Sequence, residues 1–151
     1  MNRKLVSQVL VLGALAGSLL AGSRALIDAA ARHRRMLGGA MRQTGILAAA
    51  ALHGLDHHLG RLREDHANAR VLAERLVLSP KIRLDLSTVQ TNIVVFHLQP
   101  DAPDAAALVQ RARERGVLLN AFAERTVRAV THLDVDTAMC RHAADVLLGL
   151  L

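Results

Sequence analysis

The sequence contains no tryptophan, no tyrosine, two phenylalanines and a single cysteine. Proteins that bind single-stranded nucleic acid usually stack bases on aromatic side chains, and this chain has almost none to offer. One thiol, that of Cys140, cannot form an internal disulfide, so nothing indicates an oxidising compartment. Within "TAMCRHAADVLL" this cysteine is predicted to be a small core residue of a helix rather than a nucleophile.

Acidic residues are also scarce, with 13 Asp and Glu against 19 Lys and Arg and a net charge of +6. Such an excess of positive charge can indicate a nucleic-acid partner. The arginines, however, are spread through "ARHRR", "GRLRED" and "QRARERG" and partly alternate with acids, as they do on solvated helix faces. We therefore expect no nucleic-acid partner.

Aliphatic side chains are abundant, since 52% of the 151 residues are hydrophobic and the mean hydropathy is +0.25. The length suffices for one domain with a core, and the surplus indicates surface that a partner, a second domain or a membrane covers. The longest apolar run, residues 5–22, follows Arg3 and Lys4 like a signal peptide. A buried pair of strands has the same composition, so composition alone does not separate these two interpretations.

The first part of the chain has helical patterns. Ser23 is predicted to cap a helix over "RALIDAAARHRRM", which ends before a Gly-Gly pair. Over residues 43–76, apolar residues recur at spacings of three and four, which predicts one long helix. Gly54 and Gly60 are the points at which that helix can bend.

The period changes after "SPK" at residues 79–81. Strands are predicted for "IRLDLS", "NIVVFHL", "VLLNAF" and "VRAVTHL". A helix over residues 104–115, terminated by Gly116, separates the second strand from the third, and a last helix covers residues 136–150. The predicted class is α/β, locally α+β: a long connecting helix that leads into a short-stranded sheet covered by helices.

Individual side chains give weak functional patterns. His53 and His57 lie four residues apart, as metal ligands can, but no third ligand follows at a fixed spacing, so an exposed helical surface is favoured. His132 and Asp134 alternate on a strand and could form a base and its orienting group, although polar residues in a strand-end turn explain the pattern equally. Arg42 follows two glycines near a helix start, where an anion can bind.

In combination, "MLGGAMRQTGILAAA", "EDHANA" and "VTHLDV" resemble the C-terminal part of the low-specificity L-threonine aldolases, over almost the whole chain from about residue 12. The resemblance implies the aspartate-aminotransferase fold type and pyridoxal phosphate (PLP) as cofactor. It also implies cleavage of L-threonine or L-allo-threonine to glycine and acetaldehyde. This chain would be the small C-terminal domain of a fold-type-I PLP enzyme, with the large cofactor domain mostly missing. The implied segments are residues 1–10 outside the family, 11–42 from the large domain, 43–78 as the connecting helix and 79–151 as the small α+β domain.

The resemblance also implies site residues. Arg128 matches the arginine that grips the substrate carboxylate, and Arg42 matches an arginine that helps to hold the cofactor phosphate near the subunit interface. Arg35 stands where the family often has lysine, so the charge is kept for the cofactor while the donor geometry changes. His132 falls in the "THLDV" motif, beside the site and without an assigned catalytic step. The position of the lysine that forms a Schiff base with PLP falls on Leu10, which cannot form an imine.

We therefore expect a truncated relative that is catalytically incompetent alone and does not bind PLP by itself, because neither Lys4 nor Lys81 is placed to replace the missing lysine. The alternative is an interaction subunit that docks on a full-length aldolase subunit and modulates it. Expected partners are an amino-acid substrate in the family and a second copy or a full-length aldolase subunit, with no membrane. The expected compartment is the cytoplasm, and the signal-like N-terminus leaves secretion or mitochondrial import open.

Overall fold

A computed structural model describes residues 19–151, and the chain divides into two compact units after Gly60. Residues 1–18, with Lys4, Leu10 and most of the signal-like run, lie outside the described residues. The described part of the first unit contains two helices, α1 (Arg24–Met36) and α2 (Gly45–His58). The hydroxyl of Ser23 accepts a hydrogen bond from the Leu26 amide at 3.3 Å, which confirms the predicted N-cap.

The first unit buries few of its apolar side chains. Helix α1 contains no buried residue, and α2 buries only Ala51 and Gly54. The two helices are separated by a turn in which Gly38 has a φ of +73°, a conformation that side chains with a Cβ rarely adopt. The exposed large apolar residues of this unit are Leu19, Leu20, Leu26, Met36, Leu37, Met41, Ile46, Leu52 and Leu59. No helix within residues 19–151 is both long enough and apolar enough to cross a bilayer.

The single helix predicted over residues 43–76 is divided in two. Helix α2 ends at His58, and α3 (Leu62–Leu76) begins after a short turn that contains Gly60. The first turn of α3 carries Glu64 and Asp65, and negative charge is favourable there because helix N-termini are partially positive. The sequence thus contains a helix-start signal just after Gly60, where a bend in the helix was predicted.

The second unit is built on one four-stranded antiparallel sheet of order β1-β2-β4-β3. Its central pair is β2 with β4, in a register that places Val94 opposite Ala129 and Phe96 opposite Val127. Residues alternate between the two faces of a strand, so these four side chains point to one face, and all four are buried. The strands are β1 (Ile82–Arg83), β2 (Ile93–Leu98), β3 (Asn120–Ala123) and β4 (Thr126–Val130).

Three helices cover the buried face of the sheet and form one core with it. They are α3, α4 (Ala105–Arg113) and α5 (Thr137–Leu148). Helix α3 contributes Ala69, Leu72 and Leu76 to this core, as its apolar spacing predicted. The second half of the predicted connecting helix therefore packs in the core of the second unit, which begins at Arg61.

Local signals explain most of the remaining boundaries. Asp104 and Asp136 cap α4 and α5 through their carboxylates, and Gly116, with a φ of +80°, ends α4 as predicted. The strand predicted for "IRLDLS" is shorter than expected. Asp85 accepts hydrogen bonds from the amide and hydroxyl of Ser87 and starts a short 3₁₀ turn, since this side chain competes with strand pairing.

Cys140 lies in the core, as predicted, and is almost completely buried within α5. Burial raises the pKa of its thiol above the usual value, and the charge of Asp136 raises it further. Because the thiolate is the reactive form, both effects make this cysteine a poor nucleophile.

Candidate functional site

Arg128 lies in the middle of the open sheet face, which is the face of the sheet opposite the three helices. Its neighbours across the sheet are Val95 on β2 and Asn120 on β3. Ile93 and Val130 form the next pair on this face, and both are exposed. A guanidinium therefore stands beside aliphatic side chains, where an ion pair is weakened less by water than it is on a polar surface.

The guanidinium of Arg128 lacks an acceptor for one of its donors. Its Nε atom is shielded from solvent and makes no hydrogen bond within residues 19–151. An unpaired buried donor costs on the order of 1–3 kcal/mol. Elsewhere on the guanidinium, the fork of N–H groups on an arginine matches the two oxygens of a carboxylate. The arrangement can therefore bind a carboxylate or a similar planar anion.

Phe122 contacts the same guanidinium. The Cζ atom of Arg128 lies 5.8 Å from the centroid of the Phe122 ring, within the range of a cation–π interaction. The backbone of β3 is irregular here, with a register shift between Ala121 and Ala123. An irregularity of this kind bends a strand and redirects a side chain.

His132 lies two residues after the end of β4, and its imidazole is half-exposed. Its Nδ1 atom accepts a hydrogen bond from the amide of Asp134 at 3.3 Å. The carboxylate oxygen of Asp134 is 3.6 Å from Nδ1, which is too long for a hydrogen bond. The pair therefore forms a local turn, and Asp134 does not orient the ring as a catalytic carboxylate would.

Below the open face, four polar residues are almost completely buried: Asp65, Asn68, Asn92 and Thr131. Thr131 donates its hydroxyl proton to the main-chain oxygen of Asp65 at 2.6 Å, and Asn92 donates to the main-chain oxygen of Thr131 at 2.7 Å. Together with Thr137, which is exposed but bonded to Asn68, these residues are called the buried polar cluster below. It ties the end of β4 to helix α3.

The same cluster fixes the segment after His132. Asn68 donates to the main-chain oxygen of Val135 at 3.1 Å and accepts from the hydroxyl of Thr137 at 2.7 Å. Arg61 adds a bond to the main-chain oxygen of Leu133 at 3.3 Å. The motifs "EDHANA" and "VTHLDV" are thus two sides of one hydrogen-bonded joint.

We expect Thr131→Val to reduce the free energy of unfolding by about 1–2 kcal/mol, because it removes a buried hydrogen bond. The measurement is urea unfolding followed by far-ultraviolet circular dichroism. Thr126→Val is the matched control, since the Thr126 hydroxyl meets the exposed ring of His97 at 3.0 Å. Its expected loss is below about 0.5 kcal/mol. Equal losses for the two variants would contradict a structural role for the cluster.

An open groove of about 450 Å³ lies between the first turns of α3 and α5. Arg61, Glu64, Asp134 and Asp136 contribute its charged groups. Neither Arg128 nor His132 lines it, so it is separate from the open sheet face around Arg128.

Arg35 and Arg42 belong to the first unit, and both are exposed. Arg35 lies in the last turn of α1, and Arg42 lies shortly before α2. No ion pair to either occurs within the described part of the chain. Two exposed cations beside a Gly-Gly turn fit a phosphate group.

Lys81 is already engaged. Its ammonium group donates a hydrogen bond to the main-chain oxygen of Leu151. Of the two lysines in the chain, the other is Lys4, which lies outside the described residues, as does Leu10. A lysine that is ready to bind PLP covalently is therefore absent from residues 19–151.

The two spaced histidines of α2, His53 and His57, are exposed, and their rings stack at 4.1 Å. His57 shares a hydrogen bond with the main-chain oxygen of His53 at 2.9 Å through its Nδ1 atom. No group of three or more metal-ligating side chains gathers anywhere in residues 19–151.

Comparison with known proteins shows the family of the chain. A family model for the beta-eliminating lyases matches residues 11–99, more than half of the chain. The chain belongs to the beta-eliminating lyase family. In the alignments with curated relatives it is 44% identical over 124 residues to the low specificity L-threonine aldolase of Escherichia coli (strain K12). It is 37% identical over 128 residues to low-specificity L-threonine aldolase 1 of Arabidopsis thaliana.

These alignments cover 82% and 84% of this chain, which confirms the resemblance to threonine aldolases. The chain spans about a third of the length of these relatives, 35% and 36% respectively. Beta-eliminating lyases of this kind use PLP and act on amino acids.

Two solved structures share the fold. One is the cystine C-S lyase C-DES in complex with cysteine persulfide, with a TM-score of 0.58, 19% identity, and coverage of 69% of this chain and 28% of that one. The other is a C-DES variant with glycine covalently linked to the PLP cofactor, with a TM-score of 0.57, 23% identity, and coverage of 71% and 28%. They confirm that the fold corresponds to part of a fold-type-I PLP enzyme.

Two features of the site are not predicted from sequence. Phe122 is one of only two aromatic residues outside histidine, yet nothing in "VLLNAF" indicated that it meets Arg128. The buried polar cluster had a visible signal in "EDHANA", where Asp65 and Asn68 are spaced three apart on one helix face. That signal becomes interpretable only when residues 131–137 are known to pack against it.

Proposed function

We propose that this chain supplies the substrate-carboxylate side of a PLP-dependent aldolase site. The reaction is the retro-aldol cleavage of L-threonine or L-allo-threonine to glycine and acetaldehyde. The observation that carries the proposal is the position of the Arg128 guanidinium on the open sheet face, beside Val95 and Phe122 and without an ion pair within residues 19–151. The identity of 44% to a threonine aldolase supports the choice of substrate.

In this proposal Arg128 binds the substrate α-carboxylate through two parallel hydrogen bonds. Such a grip fixes the plane of the carboxylate and hence the direction of the bond that breaks, which is the one between Cα and Cβ. Val95 and Phe122 lie beside the grip. The buried polar cluster holds the end of β4, so the arginine is presented from a rigid strand.

Arg42 and Arg35 would hold the phosphate of PLP. When bound, PLP supplies the electron sink that accepts the negative charge released at Cα. The residues described here fit the substrate and phosphate ends of such a site. They do not provide the covalent attachment point, since Lys81 is hydrogen-bonded to the main chain and the resemblance places the lysine position at Leu10.

We therefore expect the chain to be inactive alone and to function only with a subunit or segment that contributes the lysine. The test is a chimera in which residues 61–151 replace the equivalent part of the E. coli aldolase. Threonine cleavage with added PLP is measured by the release of acetaldehyde, and the unfused chain is the negative control.

Arg128→Lys in this chimera is expected to raise the KM for L-threonine by about 10- to 100-fold, because lysine keeps the charge but loses the paired hydrogen bonds. Arg125→Lys is the matched control, since Arg125 binds the main-chain oxygens of Gln99 and Ala102 instead. An unchanged KM in Arg128→Lys, or cleavage of threonine by the unfused chain, would refute the proposal.

A second candidate is an interaction subunit that docks on a full-length aldolase. The exposed apolar residues of the first unit favour it, among them Met36, Leu37 and Ile46. Surface of this kind is typical of contact with another protein. The test is co-purification of the chain with a full-length aldolase subunit. A chain that assembles only with copies of itself would contradict this candidate.

A further inference from the structure

Phe122 is an unusually placed aromatic residue. Its side chain is 68% exposed on the edge strand β3, so it adds little to the core. The other phenylalanine, Phe96, is completely buried. Exposing an apolar aromatic ring to water is unfavourable. This ring contacts the guanidinium of Arg128.

The irregularity of β3 explains how the ring reaches the arginine. Asn120 is opposite Arg128, and Ala121 is opposite Val127, as in a regular antiparallel ladder. The next pair is Ala123 with Thr126, so Phe122 is the extra residue of the register shift. An extra residue bends the edge strand at this point and allows its side chain to lean over a neighbour.

Arg128 needs such a neighbour. An arginine side chain has several rotatable bonds, and much of its conformational entropy is lost when it must hold one geometry. Its cross-strand neighbours are Val95 and Asn120, neither of which carries a negative charge. The aromatic ring at 5.8 Å favours one placement of the guanidinium without neutralising it, so its charge stays available for a ligand.

We propose that Phe122 is a positioning residue that holds the guanidinium of Arg128 ready for the carboxylate of an amino-acid substrate. The inference rests on the proposed role of Arg128. It adds to that role that the arginine is ordered before the ligand arrives, which lowers the entropic cost of binding. Phe122 itself does not take part in bond making or breaking.

The test uses the full chain and nuclear magnetic resonance of the Arg128 Nε–H group, which is assigned from its absence in Arg128→Lys. L-threonine is the probe, titrated at constant ionic strength against sodium chloride. Phe122→Ala and Phe122→Leu are expected to speed the exchange of this proton with water and to weaken threonine binding by about two- to fivefold. Phe122→Tyr is expected to restore both values, because it keeps the ring.

Leu118→Ala is the control for loss of apolar surface, since Leu118 is exposed and lies just before β3. It is expected to change neither the proton exchange nor the binding. If Phe122→Leu behaves like the unaltered chain, the positioning role is refuted, because leucine keeps the bulk but not the ring. If Arg128→Lys leaves threonine binding intact, the proposed function fails as well. Loss of binding in Arg128→Lys together with no effect of Phe122→Ala refutes only the role of Phe122.

Discussion

Replacing Val94 by aspartate is expected to abolish folding of the second unit. Val94 is completely buried on the covered face of β2. A carboxylate without a partner in such a place costs several kcal/mol, which is comparable with the whole stability of a small domain, about 5–15 kcal/mol. The measurement is the dispersion of amide resonances together with far-ultraviolet circular dichroism.

Val95→Asp is the matched control, one residue along the same strand. Val95 is on the open face, directly opposite Arg128. The new carboxylate is expected to pair with this arginine across the strands and to change stability by less than about 1 kcal/mol. It should also occupy the guanidinium and weaken the binding of L-threonine. Equal damage by the two variants would show that the register of β2 is wrong.

Phe96→Ala is expected to lower the free energy of unfolding by about 3–5 kcal/mol, because it leaves a large cavity between the sheet and the helices. Phe96 is the largest of the completely buried side chains. Urea unfolding must be followed by circular dichroism, since the chain has neither tryptophan nor tyrosine for fluorescence.

The second phenylalanine provides the control. Phe122→Ala removes the same side chain from an exposed position, so the expected loss is about 0.5–1 kcal/mol, the value of a surface cation–π contact. A comparable loss from both substitutions would contradict the assignment of Phe96 to the core. A small loss would also show that Phe122→Ala remains folded for the binding experiments.

The elements of the second unit could be predicted because their signals are local. The alternation in "NIVVFHL" follows from one buried face, and Asp104, Asp136 and Gly116 mark the ends of helices through hydrogen bonds and backbone geometry. Strand order could not be predicted in this way. The central strands β2 and β4 pair although a helix and β3 lie between them in the sequence. Such pairing depends on the packing of the whole unit.

The candidate site could be predicted from the sequence only in part. Arg128 was assigned by resemblance to a family, since a single arginine in a strand carries no local signal of its role. Its partner Phe122 depends on a register shift at a strand edge, which is a tertiary feature. Likewise, the attachment of α3 to the sheet depends on polar residues that pair with residues far along the chain.

That separation affects how the unit acquires its structure. The hydrogen bonds between α3 and the segment after β4 join residues that are 66, 67 and 69 positions apart. Contacts between such distant residues require the closure of long loops and slow the folding of a chain. During synthesis, α3 leaves the ribosome long before Thr131 and Thr137 do. Until then its buried polar groups lack their final partners, so we expect this helix to dock late. Before that step the nascent chain is expected to be most open to aggregation or chaperone binding.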